Sequence, residues 1–211
     1  MAAQLRSVIP GFPHPLLAAA SEGGSGSVSP AGIPRAHWLR FTWAPLKAPA
    51  LVQGNLGDET FRMARREEAE EVLRVIQLSL AMDAGWNDSL VAVQEFLRST
   101  VARLFNTEDP LCLVIPKGNR LIAASLLDPS ETASSHLVSG PSVLMEYRNR
   151  GIGGRLLQAS LSTLQDRGLS RITAITRANT VAARFVYPKF GGVSEEVRFS
   201  AAEEGARQPK A

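Results

Sequence analysis

The sequence predicts an α/β (α+β) fold in which helices cover the faces of a mixed β-sheet. Helical spacing of apolar residues at 66–80 and 89–104 indicates two amphipathic helices. The segments "LCLVI" and "RLIAASLL", joined by "KGN", indicate a β-hairpin directly after them. With 211 residues, of which 45% are hydrophobic, the chain can bury one core of ordinary size.

The remaining elements alternate between strand and helix. The strand candidate at 136–145, "HLVSGPSVLM", contains Gly140 and Pro141, and proline inside a strand implies an edge, a bulge or a splayed end. The helix that follows it ends before Gly168, which suits a left-handed C-terminal position. The other predicted elements are a strand at 60–64, Ser89 as the N-cap of the second helix, a strand at 171–176, a two-turn helix at 180–186 capped by Asn179, and a strand at 194–200.

Composition divides the chain into three parts. Residues 1–57 are rich in Gly, Pro, Ser and Ala without a sustained period, which is typical of a flexible extension. Residues 58–200 form the predicted domain, and 201–211 a disordered tail. The segment "HWLRFTW" (37–43) is the exception in the extension, because its aromatic residues favour docking on the domain as an extra strand.

Charge and cysteine content limit the classes of function. A net charge of +3 is far below that of a dedicated nucleic-acid binder. The single Cys112 lies in an apolar run and is interpreted as a buried core thiol, and three scattered histidines give no metal site. No apolar run reaches the ~18 residues of a membrane span. We expect a cytoplasmic protein. The acid-poor first 57 residues, with Glu22 alone against four basic residues, keep an organelle such as a plastid as the minority alternative.

The stretch "EYRNRGIGGRLL" (146–157) places three arginines and three glycines at the start of the third helix. A helix N-terminus leaves backbone N–H groups unpaired and carries partial positive charge. Glycines let an anion approach that backbone closely, so the stretch predicts a phosphate cradle. It matches neither the P-loop nor the dinucleotide-binding pattern. The alternative is a basic strand-to-helix turn without a ligand.

The spacing of further residues resembles the GNAT acetyltransferase superfamily over residues 59–199. Arg148-x-x-Gly151-x-Gly153 follows a strand, and Asn179-x-x-Ala182 and Tyr187-x-Lys189-x-Gly191 come downstream. The resemblance implies a mostly antiparallel central sheet with a splayed pair of strands, and acetyl-CoA as co-substrate without a metal.

The resemblance also implies the residues that hold acetyl-CoA. Backbone of the glycine-rich turn would hold the diphosphate, the strand stretch Ser142–Val143 would pair with the pantetheine arm, and Asn179 would contact that arm from the far side of the gap. The turn residues implied in this way are Arg148, Asn149, Arg150, Gly151, Ile152, Gly153 and Gly154.

For the chemistry, we expect the Val143 N–H to polarise the thioester carbonyl and Tyr187 to protonate the leaving thiolate. The family usually places this tyrosine seven residues after the asparagine, but here Val186 holds that position. Pro188 disfavours helical geometry at Tyr187, so a one-residue bulge would be needed to bring the phenol inward. The alternative is a core tyrosine that closes the helix.

The general base and the amine acceptor are less defined. Some relatives carry Glu five residues before the asparagine, where this chain has Ala174; His136, Glu146 or ordered water are the candidates for deprotonation. In the break between the first two helices, "MDAGWND" (82–88), Asp83 and Asp88 could receive a cationic amine and Trp86 could wall the pocket. A polar loop with one packed aromatic residue is the interpretation we favour.

The sequence thus predicts an N-acetyltransferase that acts on an amine-bearing protein or small molecule. We expect a monomer or homodimer that does not associate with a membrane. A catalytically silent CoA-binding module is the first alternative. The second alternative is a nucleic-acid binder that uses the "RNRG" arginines; the sequence disfavours it, because aromatic residues are not interleaved with them. One strand follows the last motif where the family often has two, so a partner subunit or "HWLRFTW" would complete the sheet.

Overall fold

The computed structural model describes residues 37–44 and 60–197. It contains two antiparallel sheets and three α-helices, which confirms the α/β prediction. The first sheet has the order β2 (Arg62–Met63), β3 (Cys112–Lys117), β4 (Arg120–Leu126) and β5 (Ser142–Val143). The second has the order β6 (Ile172–Arg177), β1 (Trp38–Trp43) and β7 (Val193–Glu196). The helices are α1 (Ala69–Ala81), α2 (Leu90–Phe105) and α3 (Ile152–Asp166).

Strand β1 confirms the docking predicted for "HWLRFTW". It lies between β6 and β7, and its register with β6 runs from Trp38 opposite Arg177 to Trp43 opposite Ile172. Trp38, Phe41 and Trp43 are each 1% exposed, so this segment supplies three of the largest core side chains. The rest of the predicted extension and the predicted tail lie outside the described residues.

Two apolar clusters position the site by packing on opposite faces of the sheets. Helices α1 and α2 bury their amphipathic faces in one cluster, and α3 buries its own in the other. The three predicted helices are therefore confirmed, and so is the end of α3 before Gly168, whose φ is +93°. Cys112 is fully buried, and burial raises the pKa of its thiol to about 12, which confirms the core-thiol interpretation.

The strand predicted at 136–145 is wrong in extent. Only Ser142–Val143 forms a ladder with β4, and one isolated bridge pairs Leu137 with Leu127. Between them Gly140 has a φ of +60° and Pro141 has no N–H to donate, so the ladder is interrupted. The Ser139 hydroxyl accepts the Leu126 N–H (3.0 Å) in place of a strand carbonyl.

Two of the predicted caps also need correction. Ser89 does precede the first residue of α2, but its hydroxyl donates to the Trp86 carbonyl (3.4 Å) instead of capping the helix. The turn after β6 is capped by Thr180, whose hydroxyl accepts the Ala183 N–H (3.3 Å), and Asn179 is exposed. The last strand is β7 at Val193–Glu196; residues 198–200 of the predicted strand at 194–200 lie outside the described residues.

Candidate active site

The two sheets separate next to the interrupted strand. At one end the N–H groups of His136 and Leu137 both donate to the Thr173 carbonyl (2.9 and 3.1 Å). Farther along, β5 pairs with β4 and β6 pairs with β1, and no ladder joins β5 to β6. A cavity opens between the two sheets; its lining comprises Leu80, Trp86, Val93, Leu97, Leu137, Val138, Ser139, Gly140, Ile175, Thr176 and Tyr187.

A π-helical turn at Ala182–Val186 brings Tyr187 into this cavity. The Tyr187 N–H donates to the Ala182 carbonyl (2.9 Å), five residues back, so the turn takes up one more residue than an α-helix would. The expected one-residue bulge is therefore confirmed, but the expectation that Pro188 keeps Tyr187 out of helical geometry is wrong, since Tyr187 has φ −58° and ψ −45°. The ring packs edge-on against Phe41 and Trp43 (5.1 and 5.3 Å between centroids), and burial raises the pKa of its phenol.

Gly140 lies directly against the Tyr187 hydroxyl. A Cβ built on Gly140 would stand 2.3 Å from the phenolic oxygen, far inside van der Waals contact. The position also has a positive φ, which disfavours any side chain. Glycine is therefore required here for two reasons, and the interruption of the predicted strand makes room for the phenol.

The glycine-rich turn leaves a row of backbone donors open. Asn149 and Gly151 have positive φ values of 61° and 76°, and α3 begins at Ile152. The first N–H that bonds back into the helix is that of Arg155, which donates to the Gly151 carbonyl (3.1 Å). Among the described residues, none accepts the N–H groups of 149–154. Such a row of amides at a helix N-terminus can bind a phosphate group.

Arg148, the first residue of the glycine motif, turns inward instead. Its guanidinium donates to the Val143 carbonyl (3.0 Å), the Ser79 carbonyl (2.7 Å) and the Met82 carbonyl (3.3 Å). Its own N–H donates to Met145 (3.2 Å). Arg148 therefore satisfies the last carbonyls of α1 and ties them to β5.

Ser79 is a site residue that sequence reasoning missed. Its hydroxyl accepts the Val143 N–H (3.1 Å), the donor expected to polarise the thioester, and a bond from Arg148 (3.2 Å). A signal existed in the sequence, because Ser79 falls on the apolar face of α1 between Ile76 and Leu80. A polar residue on a buried helix face needs partners, and these are its partners.

The candidate bases lie away from the cavity lining. His136 is 4% exposed at the closed end of the gap, where its Nδ1 accepts the Thr173 N–H (3.0 Å), and burial lowers its pKa. Glu146 is exposed and accepts a bond from Arg120 (3.3 Å). Ala174 is buried in β6. Within the described part of the chain, the cavity lining contains no carboxylate and no imidazole.

The carboxylates of the loop at 82–88 already have hydrogen-bond partners within the protein. Asp83 accepts the N–H of Gly85 (3.0 Å) and that of Val181 (3.1 Å), which fastens the loop to the turn after β6. Asp88 accepts a bond from the buried Arg177. The loop is polar with one packed aromatic residue, as the favoured interpretation expects, and Trp86 also lines the cavity.

Among the described residues, no group of three or more His, Cys, Asp or Glu side chains is placed to hold a metal ion. Over residues 37–44 and 60–197, no helix combines the length and apolar character that a membrane span requires.

The sequence profile of the acetyltransferase (GNAT) family matches residues 74–192, which is more than half of the chain. Functionally curated proteins give no match.

Solved structures are similar in fold. A GCN5-related N-acetyltransferase from Sphaerobacter thermophilus shares 17% identity over 76% of this chain and 49% of its own, with a TM-score of 0.53. A Drosophila protein shares 18% over 76% and 48%, with a TM-score of 0.51. A GNAT-family acetyltransferase from Colwellia psychrerythraea shares 16% over 77% and 54%, with a TM-score of 0.50. The chain spans about half the length of these structures, and the likeness concerns the fold alone.

Proposed function

Because the chain belongs to the acetyltransferase (GNAT) family, we propose that it transfers an acetyl group from acetyl-CoA to a primary amine by direct attack in a ternary complex. One observation carries the proposal: the open amides of the turn at 149–154 start α3 beside Val143, to which an added Cβ on Gly153 would come within 3.7 Å. The backbone that would hold the diphosphate and the strand that would pair with the pantetheine arm are therefore adjacent.

Acetyl-CoA in this proposal lies along β5 and the glycine-rich turn. The turn supplies amides to the diphosphate, and β5 faces the gap into which the pantetheine arm would enter. Arg148 positions the turn through its bonds to α1, and Asn179, which is exposed, would contact the pantetheine arm from the far side of the gap. The proposed contacts to the co-substrate come from Ser142, Val143, Arg148, Asn149, Arg150, Gly151, Ile152, Gly153, Gly154 and Asn179.

Tyr187 is the proposed general acid. The amine, once it has lost a proton to water, attacks the thioester carbonyl carbon, the C–S bond breaks, and the thiolate takes the phenolic proton. The nitrogen then loses its second proton as the amide forms, and a proton returns to the phenolate through water. Geometry supports this role, because the π-helical turn brings Tyr187 into the lining of the gap; burial raises the pKa of the phenol, which extends its protonated form to higher pH. The Val143 N–H, which donates to the Ser79 hydroxyl in the structure, would instead donate to the thioester carbonyl oxygen and polarise it.

A second candidate function is a silent module that binds CoA without turnover. The bond between Val143 and Ser79 favours it, because the expected oxyanion donor is already satisfied. So does the absence of a carboxylate or imidazole from the cavity lining of the described residues.

Thiol release from acetyl-CoA by the full chain, with lysine peptides, peptide N-termini and polyamines as acceptors, tests the proposal. Calorimetry with CoA is run in parallel. Acetylated product with one amine class supports the transferase, and mass spectrometry of that product identifies the acceptor nitrogen. CoA binding without thiol release from any acceptor supports the silent module. No CoA binding at low ionic strength overturns both.

A further inference from the structure

Three cations surround the ring of Tyr147 at the edge of the glycine-rich turn. The Lys117 ammonium lies 5.1 Å from the ring centroid, and the guanidinium carbons of Arg120 and Arg150 lie 5.5 and 5.6 Å from it. These distances are within cation–π range. We call Lys117, Arg120, Tyr147 and Arg150 the Tyr147 cluster.

The charges of the cluster are only partly compensated. Glu146 accepts one bond from Arg120 (3.3 Å), and both side chains are about half exposed at 49% and 53%. Glu71, in the first turn of α1, accepts the N–H of Leu121, the residue after Arg120 (2.7 Å). Three cations and one carboxylate leave a net charge of +2. Like charges this close repel one another, and a bound anion would relieve the repulsion.

The cluster is fixed in place and continuous with the turn. Tyr147 is half-buried and packs against both apolar clusters, and its N–H donates to the Leu144 carbonyl (2.9 Å). Arg150 belongs to the turn itself and donates to the Glu146 carbonyl (3.2 Å). An anion held by the cluster would therefore lie next to one held by the open amides.

Resting on the proposed function, we propose that the Tyr147 cluster binds the 3′-phosphate of coenzyme A. CoA carries a phosphomonoester on its ribose in addition to the diphosphate, and the amides of the turn account for the diphosphate only. A phosphomonoester dianion matches the net charge of +2 that the cluster and Glu146 carry together. The Tyr147 hydroxyl accepts a bond from Arg120 (2.7 Å), so its own proton remains to donate to a phosphate oxygen.

Calorimetry with CoA and with 3′-dephospho-CoA tests the proposal. We expect the unmodified protein to bind CoA about tenfold more tightly than dephospho-CoA, which is the value of one or two charge-assisted bonds at an exposed site. The double variant Lys117→Gln/Arg120→Gln should bind the two ligands within about twofold of each other. Its affinity for dephospho-CoA should change little, since that ligand never contacts the two side chains.

The double variant Arg103→Gln/Arg167→Gln is the matched control. Both arginines are exposed, and each pairs with one carboxylate, Asp128 or Asp109, so the control removes the same charge elsewhere and should keep the tenfold preference. Equal binding of the two ligands by the unmodified protein overturns the proposal, as does a preference that survives loss of Lys117 and Arg120. Absence of binding to either ligand overturns the proposed function instead.

Discussion

The glycine-rich turn at 149–154 and the loop at 82–88 are the two polar segments beside the gap, and they use hydrogen bonds in opposite ways. In the turn, among the described residues, none accepts the N–H groups of 149–154. In the loop, the Asp83 carboxylate accepts two backbone N–H groups, and the Asp88 carboxylate accepts a bond from the Arg177 guanidinium. The turn is therefore open to an anion, whereas the loop is satisfied internally.

The difference indicates what each segment can bind. A phosphate at the turn gains charge-assisted bonds and breaks none that the protein already makes. A cationic amine at Asp83 or Asp88 would compete with bonds that fasten the loop to the turn after β6 and to Arg177, and each lost bond offsets part of the gain. We therefore expect the cofactor side to depend on backbone amides and the acceptor side to depend on the apolar wall around Trp86.

Gly151→Val should have the largest effect, because it blocks the open backbone amides of the glycine-rich turn. Valine is strained at a φ of 76° and covers the amides, so the affinity for CoA should fall about 10³-fold by calorimetry. Gly168→Val is the control, since it places the same strain at the other end of α3, where an added Cβ meets nothing within 4 Å. CoA binding that falls equally in both variants would mean that the turn does not contact the ligand.

Tyr187→Phe should lower kcat about 10²-fold, because the phenol protonates the leaving sulfur. CoA affinity should stay unchanged, because the proposed contacts that hold CoA come from other residues. Burial raises the pKa of the Tyr187 phenol, so its proton-donating form persists above the ordinary range. The rate of the unmodified enzyme should therefore not decline between about pH 8 and pH 10 on account of this group. Full kcat in the phenylalanine variant would leave Tyr187 a core residue.

Gly140→Ala tests the close approach that places the phenol. The added Cβ would meet the Tyr187 hydroxyl at 2.3 Å, so we expect a loss of about 3 kcal/mol in the free energy of unfolding, measured with urea. Gly118→Ala is the control for backbone strain: its φ is +59°, close to the +60° of Gly140, and nothing lies within 4 Å of the new Cβ. It should cost about 1 kcal/mol. Equal losses in the two variants would contradict the close contact.

Local pattern was sufficient for the helices, the hairpin and the turn. Helical spacing found α1, α2 and α3 because each buries one continuous apolar face, and "KGN" marked the hairpin. Three clustered aromatic residues in an extension rich in Gly, Pro, Ser and Ala predicted β1, since aromatic side chains of that size gain most by burial. The resemblance supplied the role of Tyr187, and the π-turn shows how the shifted tyrosine still enters the gap.

Tertiary partners account for what the sequence left out. The bond from Val143 to Ser79 joins residues 64 positions apart, and Arg148 reaches α1 across 69 positions. No local period predicts such pairs. The strand expected at 136–145 failed for a related reason: Gly140 and Pro141 were visible in the sequence, but the phenol that occupies the vacated space comes from Tyr187.

Asp83→Ala should have the smallest effect on stability and activity, and it tests whether the loop at 82–88 binds the amine. Removal of the carboxylate leaves the N–H groups of Gly85 and Val181 without their acceptor, which should cost about 1 kcal/mol in urea unfolding. The KM for the amine should stay within about twofold, because the carboxylate is already occupied. Asp109→Ala, which removes an exposed pair with Arg167, is the control for charge alone. A tenfold rise in KM for Asp83→Ala, absent from Asp109→Ala, would make Asp83 the acceptor-binding group, and the two polar segments would then both be ligand sites.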